Sequence, residues 1–275
     1  MKIYKILIIL LSFFSILNGE NLMLLGEYKE GIDVKGWVVS EKYDGIRAVW
    51  DGKNLISRSG KKFNAPKFWL ENFPNFKIDG ELWTARNDFE NLSSIVRDKI
   101  PDKEWNNVKF MIFDVPDAKG DLFSRLEVLK DFLDKNPNNF IKIIRQISVN
   151  SNKDVKKYFN DVIQKGGEGV VVRDPKEPYV NKRSNKILKL KQFHDDECEV
   201  IKINMGNGKY SGKMGSLSCK NLKDGAVFKI GSGFDDKLRE NPPKIGDIVT
   251  YKFQNLTKNG KPRFPVFLRI RDDFQ

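Results

Sequence analysis

Glu41-Lys42-Tyr43-Asp44-Gly45-Ile46-Arg47 follows directly on the apolar run Trp37-Val38-Val39-Ser40. That run reads as a strand, and Asp-Gly after it reads as a tight turn. Asp bonds the backbone ahead of it, and Gly reaches conformations closed to other residues. A lysine placed there sits at a strand end beside a stiff turn. Its amine can attack phosphorus only when neutral, so such a lysine needs neighbours that lower its pKa and steady the leaving group. Arg47 is then well placed to grip an anion. The same pattern also suits an ordinary charged hairpin, and this stretch alone leaves both readings open.

Working outward, Ala48 to Ser59 is a second strand region carrying the Asp51-Gly52 turn, and Lys61 to Phe76 a loop with a short helix. Phe76 to Asp79 is a short strand running into Gly80-Glu81-Leu82-Trp83, and Val108 to Asp114 is another. Helical spacing marks Phe89 to Arg97, Arg125 to Leu133 and Asp154 to Lys165, the last ending on Gly166-Gly167. Ile141 to Val149 reads as one strand, and Glu168 to Arg173 and Lys186 to Lys191 as short β runs. Phe193-His194-Asp195-Asp196 breaks the pattern and reads as a linker. Beyond it lie five short strand candidates at Glu199–Ile203, Gly215–Cys219, Ala226–Ile230, Ile248–Phe253 and Phe264–Ile270, with glycine turns between them. Five such strands in about 80 residues suit a small Greek-key barrel of the OB type, with a small β-sandwich as the alternative. The expected fold is α+β: antiparallel sheets with helices over residues 22–192, then an all-β barrel over 193–275.

The N-terminus is separate in character. Lys2 and Lys5 precede the apolar run Ile6 to Leu17, and Asn18-Gly19 offers small residues before Glu20. Residues 1–19 therefore read as a secretory signal peptide, with an uncleaved anchor as the alternative. The run falls short of the roughly 20 residues that span a bilayer. The formal charge is +12; removing residues 1–19 takes away two lysines and no acid, leaving a mature chain of +10 with no membrane attachment. A basic chain with 12% aromatic residues suits a polyanionic partner. One histidine, His194, in a polar stretch, speaks strongly against mechanisms built on Ser-His-Asp or Cys-His pairs. Cys198 and Cys219 are too few for a metal cluster and fit a disulfide or two reduced thiols equally.

Five further stretches carry chemistry. Ser57-Arg58-Ser59-Gly60 places an arginine after a strand. Ile78-Asp79-Gly80-Glu81-Leu82 puts a carboxylate at a strand end, and Phe110-Met111-Ile112-Phe113-Asp114 ends in an aromatic that can stack on a purine. Gly167-Glu168-Gly169-Val170-Val171-Val172-Arg173 presents a second carboxylate between glycines. Ile187-Leu188-Lys189-Leu190-Lys191 puts two lysines on one face of a strand. Each has a plain structural alternative: D-G-E and E-G as turns, Phe113 as core, K-x-K as a solvated edge. Their joint order along one chain is what those alternatives fail to explain.

That order resembles the covalent lysyl-nucleotide enzymes, and among them the ATP-dependent polynucleotide ligases. E-K-Y-D-G-I-R looks like their motif I, D-G-E like motif III and F-M-I-F-D-V like motif IIIa. E-G-V-V-V-R looks like motif IV and K-L-K like motif V. With the export signal and no extra domain, the chain most resembles the minimal periplasmic bacterial DNA ligases. Lys261 to Arg271 is similar to their motif VI region but departs from the R-x-D-K form of larger ligases.

The resemblance implies a monomer that seals 5′-phosphate/3′-hydroxyl nicks in duplex DNA, using ATP and Mg2+, with Mn2+ able to substitute. Lys42 would be the nucleophile, with Lys189 and Lys191 stabilising the α-phosphate and depressing the pKa of Lys42. ATP or AMP would be held by Glu41, Lys42, Arg47, Arg58, Glu81, Phe113, Glu168, Lys189 and Lys191, and the metal by Glu81 and Glu168. DNA would be held by Arg47, Arg58, Arg173 and Arg263, and Arg263, Arg269 and Arg271 would reach the triphosphate in a closed form. RNA-capping enzymes share the lysine, but an export signal does not suit them; most RNA ligases lack the barrel. An exported DNA-binding barrel protein without activity would not need Lys42, Glu81, Glu168, Lys189 and Lys191 together.

Overall fold

The computed structural model describes residues 22–271, so the expected signal peptide lies outside the described residues. Among the described residues no helix is long and apolar enough to cross a membrane. The chain divides into two compact units, the first ending at Leu190 and the second beginning at Lys191.

In the first unit the strands are β1 (Leu24–Glu27), β2 (Trp37–Lys42), β3 (Ile46–Trp50), β4 (Leu55–Ser57), β5 (Ile78–Trp83), β6 (Lys109–Asp114), β7 (Ile141–Ile143), β8 (Ile147–Val149), β9 (Gly169–Arg173) and β10 (Arg183–Lys191). The helices are α1 (Lys67–Leu70), α2 (Phe89–Arg97), α3 (Leu122–Lys135) and α4 (Asn152–Gln164). One sheet runs β1-β10-β9-β2-β8 and the other β4-β3-β5-β6-β7. Both are mixed rather than purely antiparallel, because β1 pairs parallel with β10 and β6 parallel with β7. Helix starts follow the side chains at hand. Asp121 caps α3 by accepting from Ser124 N, and Ser151 caps α4 by accepting from Asp154 N.

Two chain segments cross between these sheets; the first settles a reading the sequence left open, and the second differs from the sequence expectation. β2 and β3 are not a hairpin: β2 pairs with β8 and β9, whereas β3 pairs with β4 and β5. The Asp44-Gly45 turn therefore carries the chain from one sheet to the other. Gly45 is required there, since a Cβ would stand 2.1 Å from the Leu82 carbonyl oxygen. Likewise Ile141 to Val149 is two strands, β7 in the second sheet and β8 in the first. A continuous apolar run does not encode which sheet each half joins.

Alternation then separates the two faces of each strand. Trp37 and Val39 of β2 pack with Val170 and Val172 of β9 against Val155 and Val162 of α4. Ile46, Ala48 and Trp50 of β3 pack with Ile78 and Leu82 of β5, Phe110 and Ile112 of β6, and helix α2. The opposite faces carry Lys42, Arg47, Glu81, Phe113 and Lys189 around a cleft between the sheets, with Asp79 and Arg173 buried on the same faces.

The second unit comprises β11 (His194–Met205), β12 (Met214–Asn221), β13 (Val227–Ile230), a short helix α5 (Asp236–Glu240), β14 (Ile248–Phe253) and β15 (Val266–Ile270). The antiparallel order is β13-β12-β11-β14-β15. A parallel bridge from Ser232 to Val266 joins the two ends of this row and closes the barrel. The expected linker is corrected here: His194, Asp195 and Asp196 open β11, paired with Phe253, Lys252 and Tyr251. Backbone pairing is indifferent to side-chain polarity on a solvated face, and only Gln192 and Phe193 lie between strands. Cys198 and Cys219 are free and buried in the barrel core.

Candidate active site

Lys42 closes β2, and the next strand along, β9, begins opposite it at Gly169. This register places Glu168 beside the lysine, and Lys42 Nζ donates to Glu168 Oε2 at 2.7 Å. The lysine side chain is 20% exposed and the glutamate 6%, so the pair is largely withdrawn from water. From the facing sheet, Glu81 adds a second carboxylate, because β3–β5 register sets it against Arg47.

The electrostatics correct one expectation. Burial works against the charge of Lys42, but Glu168, Glu81 and Asp44 outweigh it and hold the ammonium above the ordinary lysine range. Lys189 does not depress it, because Lys189 Nζ is paired with Glu27 Oε1 at 2.8 Å across the β1–β10 register. Lys191, at the end of β10, donates to Gln254 Oε1 at 3.3 Å within the second unit.

Glu81 is raised to about 7, first by burial and then by the like charges of Glu168 and Asp79, with Lys42 and Arg47 opposing. A buried carboxylate raised by a second one beside it marks a place where a divalent cation would relieve repulsion. Among the described residues no group of three or more acidic, His or Cys side chains converges as a full ligand cage. Magnesium suits such a partial set, since it keeps water and phosphate oxygens alongside one or two carboxylates. Because the folded state holds a proton on Glu81 that the unfolded chain releases near 4.5, its contribution to stability falls as pH rises from there through about 7. Over the upper part of that window the ionising carboxylate becomes available to metal. We expect Mn2+ affinity, followed by paramagnetic relaxation, to rise between pH 6 and 8, and the Glu81→Gln variant to lose that dependence. An unchanged profile in the variant would remove Glu81 from the metal site.

Arg47 faces the cleft but is already engaged. Its Nε and Nη2 donate to the two oxygens of Asp79 at 3.1 and 2.6 Å, and Nη1 donates to the Met23 carbonyl at 2.6 Å. Its guanidinium carbon lies 5.2 Å from the Phe113 ring centroid.

Two residues assigned to ligands have their side chains engaged within the protein. Arg173 is 4% exposed and ion-pairs with Asp114, which also takes Arg125 Nε at 2.8 Å. The guanidinium is thus turned to Asp114 and away from solvent. Arg173→Ala should instead destabilise the protein by roughly 3 kcal/mol, the lower end for breaking a buried pair, since Asp114 keeps Arg125. The matching fall in Tm is on the order of 10 °C, with the salt dependence of DNA binding unchanged; reduced DNA affinity at an unaltered Tm would reverse this assignment. Glu41, one residue from Lys42, points to the α4 side of β2 rather than into the cleft. There Arg86 Nη2 reaches both of its oxygens at 2.7 and 2.8 Å, and Arg86 Nη1 donates to the Lys165 carbonyl at 3.0 Å.

Arg58 is exposed on the turn after β4. Arg263, half-buried, exchanges backbone bonds with Asn255 and Gln254 in the loop joining β14 and β15. Arg269 is exposed, and Arg271 ion-pairs with Glu197. Sequence reasoning missed Asp79, Arg86 and Tyr179. Asp79 was legible, lying two residues before Glu81 and so on its face of β5; Tyr179 sits in a loop with no pattern to mark it.

Comparison with known proteins bears on this arrangement. Residues 27–191 match the ATP dependent DNA ligase domain model, and residues 205–271 match the DNA ligase OB-like domain model. A DNA ligase of Haemophilus influenzae is 44% identical over 269 residues, covering 98% of this chain and 99% of that one. A solved structure from a study of Lig E DNA ligases and their DNA binding with a minimal scaffold superposes with TM-score 0.84 at 42% identity, covering 92% of this chain and 99% of that one. Chlorella virus DNA ligase-adenylate superposes with TM-score 0.53 at 28% identity, covering 91% and 97%.

Proposed function

Since this chain belongs to the ATP-dependent DNA ligase family, we propose that it seals 5′-phosphate/3′-hydroxyl nicks in duplex DNA through a lysyl-AMP intermediate on Lys42. The observation that carries the reading is the Lys42–Glu168 contact of 2.7 Å at the mouth of a cleft whose opposite wall holds Glu81, Arg47 and Phe113. In the first step Lys42 Nζ, having lost its proton, forms a bond to the α-phosphorus of ATP while the bond to pyrophosphate breaks. AMP then passes to the 5′-phosphate of the nick, and the 3′-hydroxyl displaces it.

The carboxylates that hold the ammonium must be given another counter-charge before the amine is free. Magnesium, for which manganese can substitute, would be held by Glu81 and Glu168 and would supply that charge and neutralise the triphosphate. Lys189 leaves Glu27 to meet the α-phosphate, and Lys191 adds to the same charge. Phe113 offers a stacking face for adenine, and Arg47 a guanidinium for AMP or the nick phosphate.

The chain acts as a monomer outside the cytoplasm, in the periplasm, on the strength of Lys2, Lys5 and the apolar run to Leu17. Repair of DNA during uptake suits that location. Incubation with α-labelled ATP and magnesium should yield an acid-sensitive labelled protein band, and purified protein should seal a singly nicked duplex only when ATP is present. Preference for GTP, or for nicked RNA, would move the chain to another branch of the superfamily.

A further inference from the structure

We propose that Tyr179 is a positioning residue for this chemistry: by donating its hydroxyl to Asp79 it fixes the carboxylate fork that aims Arg47 into the cleft. The proposal rests on the reading of Arg47 as the arginine that meets a phosphate.

Tyr179 Oη donates to Asp79 Oδ2 at 2.6 Å, the same oxygen that accepts Arg47 Nη2 at 2.6 Å. Asp79 Oδ1 takes Arg47 Nε at 3.1 Å, so the arginine fork fills one edge of the carboxylate and the phenol a remaining lone pair. Asp79 is 0% exposed, and no solvent can replace the phenol where it stands. Without that third bond the carboxylate keeps, among the described residues, the arginine alone, and the two can turn together about the Asp79 side chain. The Met23 carbonyl on Nη1 then still holds the guanidinium. Because the guanidinium lies 5.2 Å from the Phe113 centroid, a small rotation would also move it across the ring that adenine is to use.

The alternative is that the phenol only satisfies a buried charge and matters for stability alone. Geometry favours the positioning role, because the loop that carries Tyr179 is secured without it. Leu122 N donates to the Pro175 carbonyl at 2.8 Å, and Ser184 Oγ donates to Glu177 Oε1 at 3.3 Å. Tyr179→Phe should therefore leave the loop and the ring in place, removing the bond to Asp79 together with the longer ones from Met23 N and Arg47 Nη2, both at 3.5 Å.

A double-mutant cycle separates the two roles. Single-turnover sealing of a nicked duplex would be measured for the full-length enzyme, Tyr179→Phe, Arg47→Ala and the double variant, with Tm recorded for each. We expect Tyr179→Phe to slow sealing about tenfold in the native background and less than about twofold when Arg47 is already absent. A tenfold loss repeated in the Arg47→Ala background would overturn the proposal, since the phenol would then act without the arginine. Full activity in Tyr179→Phe, beside an impaired Arg47→Ala, would overturn it while leaving the reading of Arg47 intact. Full activity in Arg47→Ala would remove both.

Discussion

We expect Lys42→Ala to form no protein–AMP adduct and to seal no 5′-phosphorylated nick with ATP, a loss of order 10⁴-fold or more, the scale for removing a covalent nucleophile. Lys42 stands at the end of β2 with its amine on Glu168, and among the described residues no other amine shares that position: Lys189 is turned to Glu27 and Lys191 to Gln254. Removing the lysine also leaves Glu168 and Glu81 without the positive charge they share, so the Tm of the variant belongs in the same experiment. Sealing of a nick supplied already adenylated should survive, because that step breaks the bond to AMP without a lysine. ATP-dependent sealing by the variant would show that the nucleophile lies elsewhere.

Glu168→Gln provides the second large effect, and its direction is informative. Glu168 is the strongest of the carboxylates that keep Lys42 protonated, so its neutralisation lowers the lysine pKa and frees the amine at lower pH. If holding the ammonium were its whole role, the variant would adenylate faster than the native enzyme. The structure sets Glu168 near Glu81, and in the function proposed above the two carboxylates would hold the cation that accompanies ATP. We therefore expect self-adenylation to fall roughly 10²-fold, the scale for losing one preorganised electrostatic group, with partial recovery at high magnesium. Adenylation at or above the native rate, measured by label incorporation from pH 6 to 9, would return Glu168 to the part of a plain counter-ion.

Chemistry carried by local spacing was readable along the chain. Lysine before Asp-Gly, carboxylates at strand ends, and Lys189 two residues before Lys191 all depend on period-two alternation and turn preference, which a few neighbouring residues set between them. The five-strand barrel was readable for the same reason, as regular short strands with glycine between them. The apolar pattern also separated the core-facing residues of β3, β5 and β6 from those of the cleft.

Partnerships across the fold were not readable. Arg173 and Arg125 look like free cations in sequence, yet both are closed against Asp114. Arg47 carries the same signature as a phosphate-binding arginine, but its bonds go to Asp79, more than thirty residues away, and to the Met23 carbonyl. Whether an arginine meets a ligand or a buried aspartate depends on which strand lies opposite, and no local preference contains that.

By itself, the sequence determined most of the strands, the turn at Asp44-Gly45 and the five-strand barrel. Tertiary structure alone decided that this turn crosses from one sheet to the other, setting Lys42 and Arg47 on opposing walls of one cleft. It also decided the charge state of the lysine. That state follows from the distance to Glu168, Glu81 and Asp44 in a site shielded from water, where a few ångströms outweigh the identity of the neighbours in the chain.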